Sequence, residues 1–111
     1  MYCFRKLYKT VKDKTKVHLM TRKRTDDNQT EIVKALRSTG ATVAITSMVG
    51  TGFPDLVVGY RDVNFLFEVK DGSKPPSRRK LTKAEQDFFF AWEGSVEIVT
   101  SVDDALAILK G

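Results

Sequence analysis

An α/β domain, with a mixed sheet flanked by helices in the order α-β-β-β-α-β-α, is predicted by three observations. The first is a pair of short apolar runs, Asp55-Leu56-Val57-Val58-Gly59-Tyr60 and Val63-Asn64-Phe65-Leu66-Phe67-Glu68-Val69-Lys70. Both have the β-branched and aromatic content of buried strands. The second is their separation by Arg61-Asp62 alone, enough for a two-residue hairpin turn. The third is a set of helix-start residues, Asn28, Thr82 and Ser101, each ahead of a stretch with an apolar stripe. At 111 residues the chain has room for one domain with a modest core.

The elements follow in order. A first helix is expected from Gln29 to Thr39, with Asn28 as its cap and Glu31 at the capping-box position. Ile32, Val33, Ala35 and Leu36 give it an apolar face, and Gly40 stops it. Ala41 to Met48 alternates around Val43 and Ile45 and reads as a strand. Gly50-Thr51-Gly52 is a flexible turn into the Asp55 run, and Pro54 is tolerated at a strand's first residues. After the hairpin, the prolines and glycine of residues 71–80 argue against regular structure and present Lys74, Arg78, Arg79 and Lys80 to solvent. Thr82 caps a second helix with Glu85 three residues later, and this helix runs through Phe88, Phe89, Phe90 and Trp92 to Gly94. Three consecutive phenylalanines cannot share one side of a helix, so at least one should meet a partner or solvent. Val96 to Thr100 reads as a short strand. Ser101 caps a final helix that has Asp103 and Asp104 in its first turn and Lys110 in its last, as the macrodipole prefers.

Composition narrows the chemistry. One cysteine, Cys3, allows no internal disulfide and no cysteine-based zinc site. One histidine, His18, argues against chemistry that needs paired imidazoles. No run approaches the roughly 18 apolar residues of a membrane span, and no apolar stretch follows the early charges, so a cytoplasmic location is expected (host cytoplasm if phage-encoded). Charge is uneven. Residues 1–24 carry nine Lys/Arg, among them Arg22, Lys23 and Arg24, against one acid, Asp13. The rest of the chain has more acids than bases, so the net charge of +5 comes from this basic N-terminal extension. A basic extension (1–24) on a near-neutral domain (25–111) suits a polyanion, and nucleic acid is the expected partner.

The candidate chemistry sits in the hairpin. With Tyr60 facing Val63 and Gly59 facing Asn64, counting down the ladder puts Asp55 opposite Glu68, with Cβ atoms about 5 Å apart. Lys70 shares Glu68's face, while Val69 points the other way. Like charges directly opposite one another destabilise a sheet. A divalent cation between them removes that cost and makes a reaction centre. The lysine beside two acids suits activation of a water. Glu31 has a competing explanation as half of a capping box. Arg78, Arg79 and Lys80, with Lys74, become phosphate contacts if the carboxylates cleave nucleic acid.

The element order, Pro54-Asp55, Glu68-Val69-Lys70 and a glutamate in the preceding helix resemble the PD-(D/E)XK nuclease superfamily, which has a restriction-endonuclease-like core. Within it the chain is similar to the small stand-alone VRR-NUC (virus-type replication-repair nuclease) proteins. Glu31, the glycine-rich turn into Gly52-Phe53-Pro54-Asp55-Leu56, Phe67-Glu68-Val69-Lys70 and the Leu81-Thr82 helix start carry this resemblance, over about residues 26–110. It implies a metal-dependent endodeoxyribonuclease that hydrolyses phosphodiester bonds. Asp55, Glu68 and the Val69 carbonyl would hold Mg²⁺ or Mn²⁺, Lys70 would act on the attacking water, and Glu31 would assist a second ion. The family usually carries a glutamine four residues after the leucine that precedes the second helix. Glu85 stands there and Gln86 follows, so the auxiliary contact falls to one or the other, about 100° apart on the helix. The resemblance further implies branched DNA as substrate, cut by a homodimer in the manner of Holliday-junction resolvases. The alternatives are a flap or nicking nuclease of a phage or mobile element, and a non-catalytic DNA-binding protein that keeps the nuclease fold. A small RNA-binding protein is disfavoured because no aromatic platform motif is visible.

Overall fold

The computed structural model describes residues 28–111. The basic extension, with Arg22, Lys23 and Arg24, lies outside the described residues, as do Cys3 and His18. The elements are α1 (Gln29–Ser38), β1 (Thr42–Ile45), β2 (Leu56–Tyr60), β3 (Val63–Val69), α2 (Lys83–Ala91), β4 (Glu97–Val99) and α3 (Val102–Lys110). Short 3-10 turns at Ser47–Val49 and Pro76–Arg78 interrupt the loops. The order is α-β-β-β-α-β-α, and the sheet is mixed and flanked by helices.

Strands lie in the order β1-β2-β3-β4. The first three are antiparallel, and β4 joins β3 in parallel after the crossover through α2. The β2–β3 hairpin turns on Arg61 and Asp62, whose φ values of +50° and +67° are both positive, as a type I′ turn requires. The Arg61 guanidinium lies over the Tyr60 ring, 5.1 Å from its centroid. The register runs from Tyr60 opposite Val63 to Leu56 opposite Phe67.

Alternation gives the sheet two unlike faces. One buries Val43, Leu56, Val58, Phe67, Val69 and Val99 against Ile32, Val33 and Leu36 of α1 and Ala105 and Leu109 of α3. The other carries Val57 paired with Leu66 and Glu68 paired with Ile98. Among the described residues, α2 is the helix on the Glu68 side of that second face, and none of its own residues is buried. It is held by an edge-on contact between Phe53 and Phe88, with ring centroids 5.4 Å apart, and by a close approach at Gly52. A Cβ on Gly52 would lie 2.2 Å from the Ala84 carbonyl oxygen, and Gly52 has φ +83°.

Several elements differ from the sequence expectation. The strand expected over Ala41 to Met48 stops at Ile45, because Thr46 leaves extended geometry (ψ 16°) and the chain turns into the 3-10 segment Ser47–Val49, whose Val49 N–H bonds back to the Thr46 carbonyl. Asn28 makes no side-chain cap on α1. Its amide instead donates to the carbonyls of Lys70 (3.1 Å) and Thr100 (3.0 Å), tying the helix start to the ends of β3 and β4. The Thr82–Glu85 capping box is present. However, α2 ends at Ala91, where Trp92 swings to ψ 120° and stacks on Phe88. The last strand is confined to Glu97–Val99, since Thr100 turns its N–H and hydroxyl to Asp104. The loop after Lys70, expected to be irregular, contains the 3-10 turn at Pro76–Arg78. Phe90 is 94% exposed, the outward member of the phenylalanine run.

Gly52→Ala should lower stability by at least the roughly 1–2 kcal/mol of placing a side chain at positive φ, because the Ala84 carbonyl must also move. Thermal unfolding followed by circular dichroism checks this. An unchanged melting temperature would show that α2 does not press on the turn.

Candidate active site

Asp55 stands one residue before β2, one step beyond the Leu56–Phe67 pair. The Val69 N–H donates to its Oδ2 at 2.9 Å, which turns the carboxylate across the strand end toward Glu68. Glu68 is on the α2 side of β3 and only 2% exposed. Its Oε1 is buried without a hydrogen-bond partner. Lys70 reaches both flanking acids, with Nζ 3.6 Å from Glu68 Oε2 and 2.9 Å from Glu85 Oε1. That same Glu85 oxygen accepts the Thr82 N–H of the capping box at 2.9 Å. One side-chain atom thus starts the helix and holds the lysine.

Of the residues singled out from sequence, Asp55, Glu68, Lys70 and Glu85 come together. Gln86 turns away, donating its amide to the Leu81 carbonyl at 3.2 Å. Glu31 is exposed and lines a different cleft of about 530 Å³ with Asn28, Asp71, Ser73 and Thr100. The lining of that cleft includes none of Asp55, Glu68, Lys70 or Glu85. In the basic loop, Arg78 and Lys80 are exposed, and Arg79 Nε donates to the Lys74 carbonyl at 2.8 Å, closing the loop on itself.

Two buried polar residues, Gln29 and Asp71, escaped the sequence reading, and the first bears on the site. Gln29 is 4% exposed, donates its amide to Ser47 Oγ at 3.2 Å and leaves its Oε1 buried without a partner. Its position on the stripe of Ile32, Val33 and Leu36 was the available signal, since a residue three, four and seven positions before them shares their face. Ser47 adjoins Thr46, which grips the Pro54-Asp55 turn, so Gln29 braces the approach to the carboxylates.

Electrostatics follow from this packing. Burial first, then the Asp55 charge and the Glu85 carboxylate, push Glu68 up from 4.5 to about 9. Burial also acts to raise Glu85, but its contacts with Lys70 and the Thr82 N–H outweigh burial and leave it below its usual value. Ionising Glu68 beside Asp55 would put one negative charge too many into those surroundings, which is why its proton is held. The unpartnered Glu68 Oε1 and that surplus charge fit a hard divalent cation. Among the described residues, no three His, Cys, Asp or Glu side chains converge to hold an ion by themselves. Two carboxylates with waters completing the shell is the donor set Mg²⁺ accepts.

The raised value has a signed consequence. Folded Glu68 keeps its proton up to about pH 9, while the unfolded carboxyl loses it near 4.5. Its stabilising contribution is therefore full below 4.5 and is lost as pH rises through about 9. In chelator, the melting temperature should fall over that window, and Glu68→Gln should flatten the slope. At pH 8, Mn²⁺ should raise the melting temperature of the wild type and leave Glu68→Gln unmoved. Parallel pH slopes for the two proteins would remove Glu68 as the titrating group.

No family model and no curated protein matches the chain. A solved structure described as a VRR_NUC domain does, with a TM-score of 0.52 and 25% identity, over 77% of this chain and 97% of that one. No helix among the described residues is long and apolar enough to cross a membrane. With its four-stranded mixed sheet and flanking helices, the chain has the fold of a VRR_NUC nuclease domain.

Proposed function

We propose that this nuclease domain is a divalent-metal-dependent endodeoxyribonuclease. The observation that carries the reading is the buried Glu68 carboxylate beside Asp55, whose Oε1 has no hydrogen-bond partner while Lys70 lies 3.6 Å from its Oε2. Asp55, Glu68 and the Val69 carbonyl would hold Mg²⁺ or Mn²⁺. Such an ion, when bound, lowers the pKa of a water and offsets charge on the scissile phosphate. Lys70, paired with two carboxylates, would orient the attacking water and stabilise negative charge as it develops. Glu85 rather than Gln86 is the auxiliary residue, because its oxygen holds Lys70 at 2.9 Å. Asn28 and Gln29 buttress the strand ends from behind. Glu31 lies on its own cleft, and a role for it at a second ion would have to reach across through water.

The substrate we favour is branched DNA, with the loop of Lys74, Arg78, Arg79 and Lys80 on its phosphates and the extension, Arg22 to Arg24 included, adding charge. A four-way junction has two symmetric strands to cut, and one domain has one site, so this reading requires a homodimer. Phe90, 94% exposed on the outer side of α2, is apolar surface available to it. A flap or nicking nuclease uses the same chemistry as a monomer.

Asp55→Ala and Glu68→Ala should each abolish cleavage, and Lys70→Ala should remove most of it while Mn²⁺ binding by calorimetry persists. The assay is a panel of duplex, flap, single-stranded and four-way DNAs with and without Mg²⁺ or Mn²⁺. Undiminished cleavage by Asp55→Ala or Glu68→Ala would sink the site. Deleting residues 1–19 should weaken DNA binding and reduce its salt dependence, since log affinity falls with log salt in proportion to the phosphates neutralised. Equal affinities across a salt series would make the extension inert. Light scattering should give a dimer, and paired cuts in a junction should follow. A monomeric mass with and without junction DNA would leave the flap or nicking reading.

A further inference from the structure

The catalytic reading leaves an aromatic stack unused. Phe53 meets Phe88 edge-on, and Phe88 lies against Trp92 with centroids 5.0 Å apart and planes 18° from parallel. The stack ends there. Trp92 is 42% exposed, and among the described residues no further ring contact covers it. Nor is the indole loose, because a Cβ on Gly94 would lie 2.9 Å from its Nε1, so the glycine backbone packs against that edge. A flat ring, fixed on one side and open on the other, is ready for one more flat ring.

Its position says which ring. Glu85 and Phe88 share one face of α2, and Trp92, just past its end, still donates its N–H to the Phe88 carbonyl and so continues that face. Seven residues of helix rise about 10 Å, and Glu85, at the near end of that span, holds Lys70 at 2.9 Å. A strand with a phosphate near Lys70 would pass the indole within a few nucleotides. At the other end of α2 the chain is basic, with Arg78 and Lys80 exposed. Phe90 is two residues from Phe88, about 200° round the helix, so the apolar surface offered to a second copy is a different one. We infer that Trp92 is a stacking platform for an unpaired nucleobase of the substrate, a few nucleotides from the bond cut. This rests on the nuclease reading and adds a preference for DNA with a single-stranded or splayed segment. Stacking on an aromatic takes any base, because every base has a π-face.

Trp92 is the chain's one tryptophan, so its emission reports the site directly. The full-length protein in EDTA is titrated with a 12-nucleotide single strand and with the same sequence as blunt duplex. The single strand should quench Trp92 saturably and more deeply than the duplex. By anisotropy of a labelled strand, Trp92→Ala should bind the single strand about ten-fold more weakly and lose most of the preference over duplex. Trp92→Phe, which keeps a ring, should restore most of it, with circular dichroism confirming that both variants fold. Single-strand binding without quenching, or an unchanged preference in Trp92→Ala, would overturn the proposal. So would a Trp92→Ala protein whose altered property is its sedimentation mass, which would assign this face to a second copy. Wild-type cleavage with Mg²⁺ separates the two readings, because a cleaving enzyme with a silent Trp92 keeps the nuclease and loses the platform. A protein that binds no DNA loses both.

Discussion

The two-residue turn at Arg61-Asp62 governs this molecule. A sheet has a side-chain period of two, so a slip of one residue between β2 and β3 would send Glu68 into the apolar core and Phe67 out of it. The turn admits one register, and that register sets Asp55 across from Glu68. The cost is local, since both turn residues hold positive φ without being glycine. Burial of Phe67, Leu56 and Val58 on the other face enforces the same pairing, because each would be exposed by a slip. The repulsive carboxylate pair is thus held by hydrophobic packing on the opposite side of the sheet.

The two faces of the sheet do different work. The face toward α1 and α3 carries nearly all the buried apolar surface, and the hydrophobic effect there supplies the stability. The face toward α2 is polar at the strand ends, where Glu68 is buried and Asp55 half-buried. Asn28 links the two regions from the helix side, with its amide bridging the chain ends of β3 and β4.

Much of this was legible in the sequence. Strand composition and the two-residue gap gave the hairpin and its register, and the Thr82–Glu85 spacing gave the capping box. What escaped depended on tertiary partners. Asn28 has the residue type and place of a cap, but two strand-end carbonyls 42 and 72 residues away compete for its amide and win. The strand at Val43 and Ile45 ends sooner than its alternation suggests because the chain turns into 3-10 geometry at Ser47–Val49, a turn that the apolar residues Met48 and Val49 do not announce. Between Glu85 and Gln86 the sequence was silent, since a turn of about 100° matters only once the helix is docked. Gln29 went unread because a polar residue at a helix start suggests solvent before it suggests a buried brace.

The double duty of the Glu85 oxygen has a dynamic side. Since α2 buries none of its own residues, its local opening costs far less than unfolding the sheet. Each opening frays the cap and releases Lys70 from Glu85 together, because one atom makes both contacts. The fraction of molecules with an assembled site is then the fraction with α2 closed. Amide hydrogen exchange at Gln86, whose N–H is bonded to the Thr82 carbonyl, reads that fraction directly. Any ligand that rests on α2 would slow the exchange and tighten the lysine in the same act.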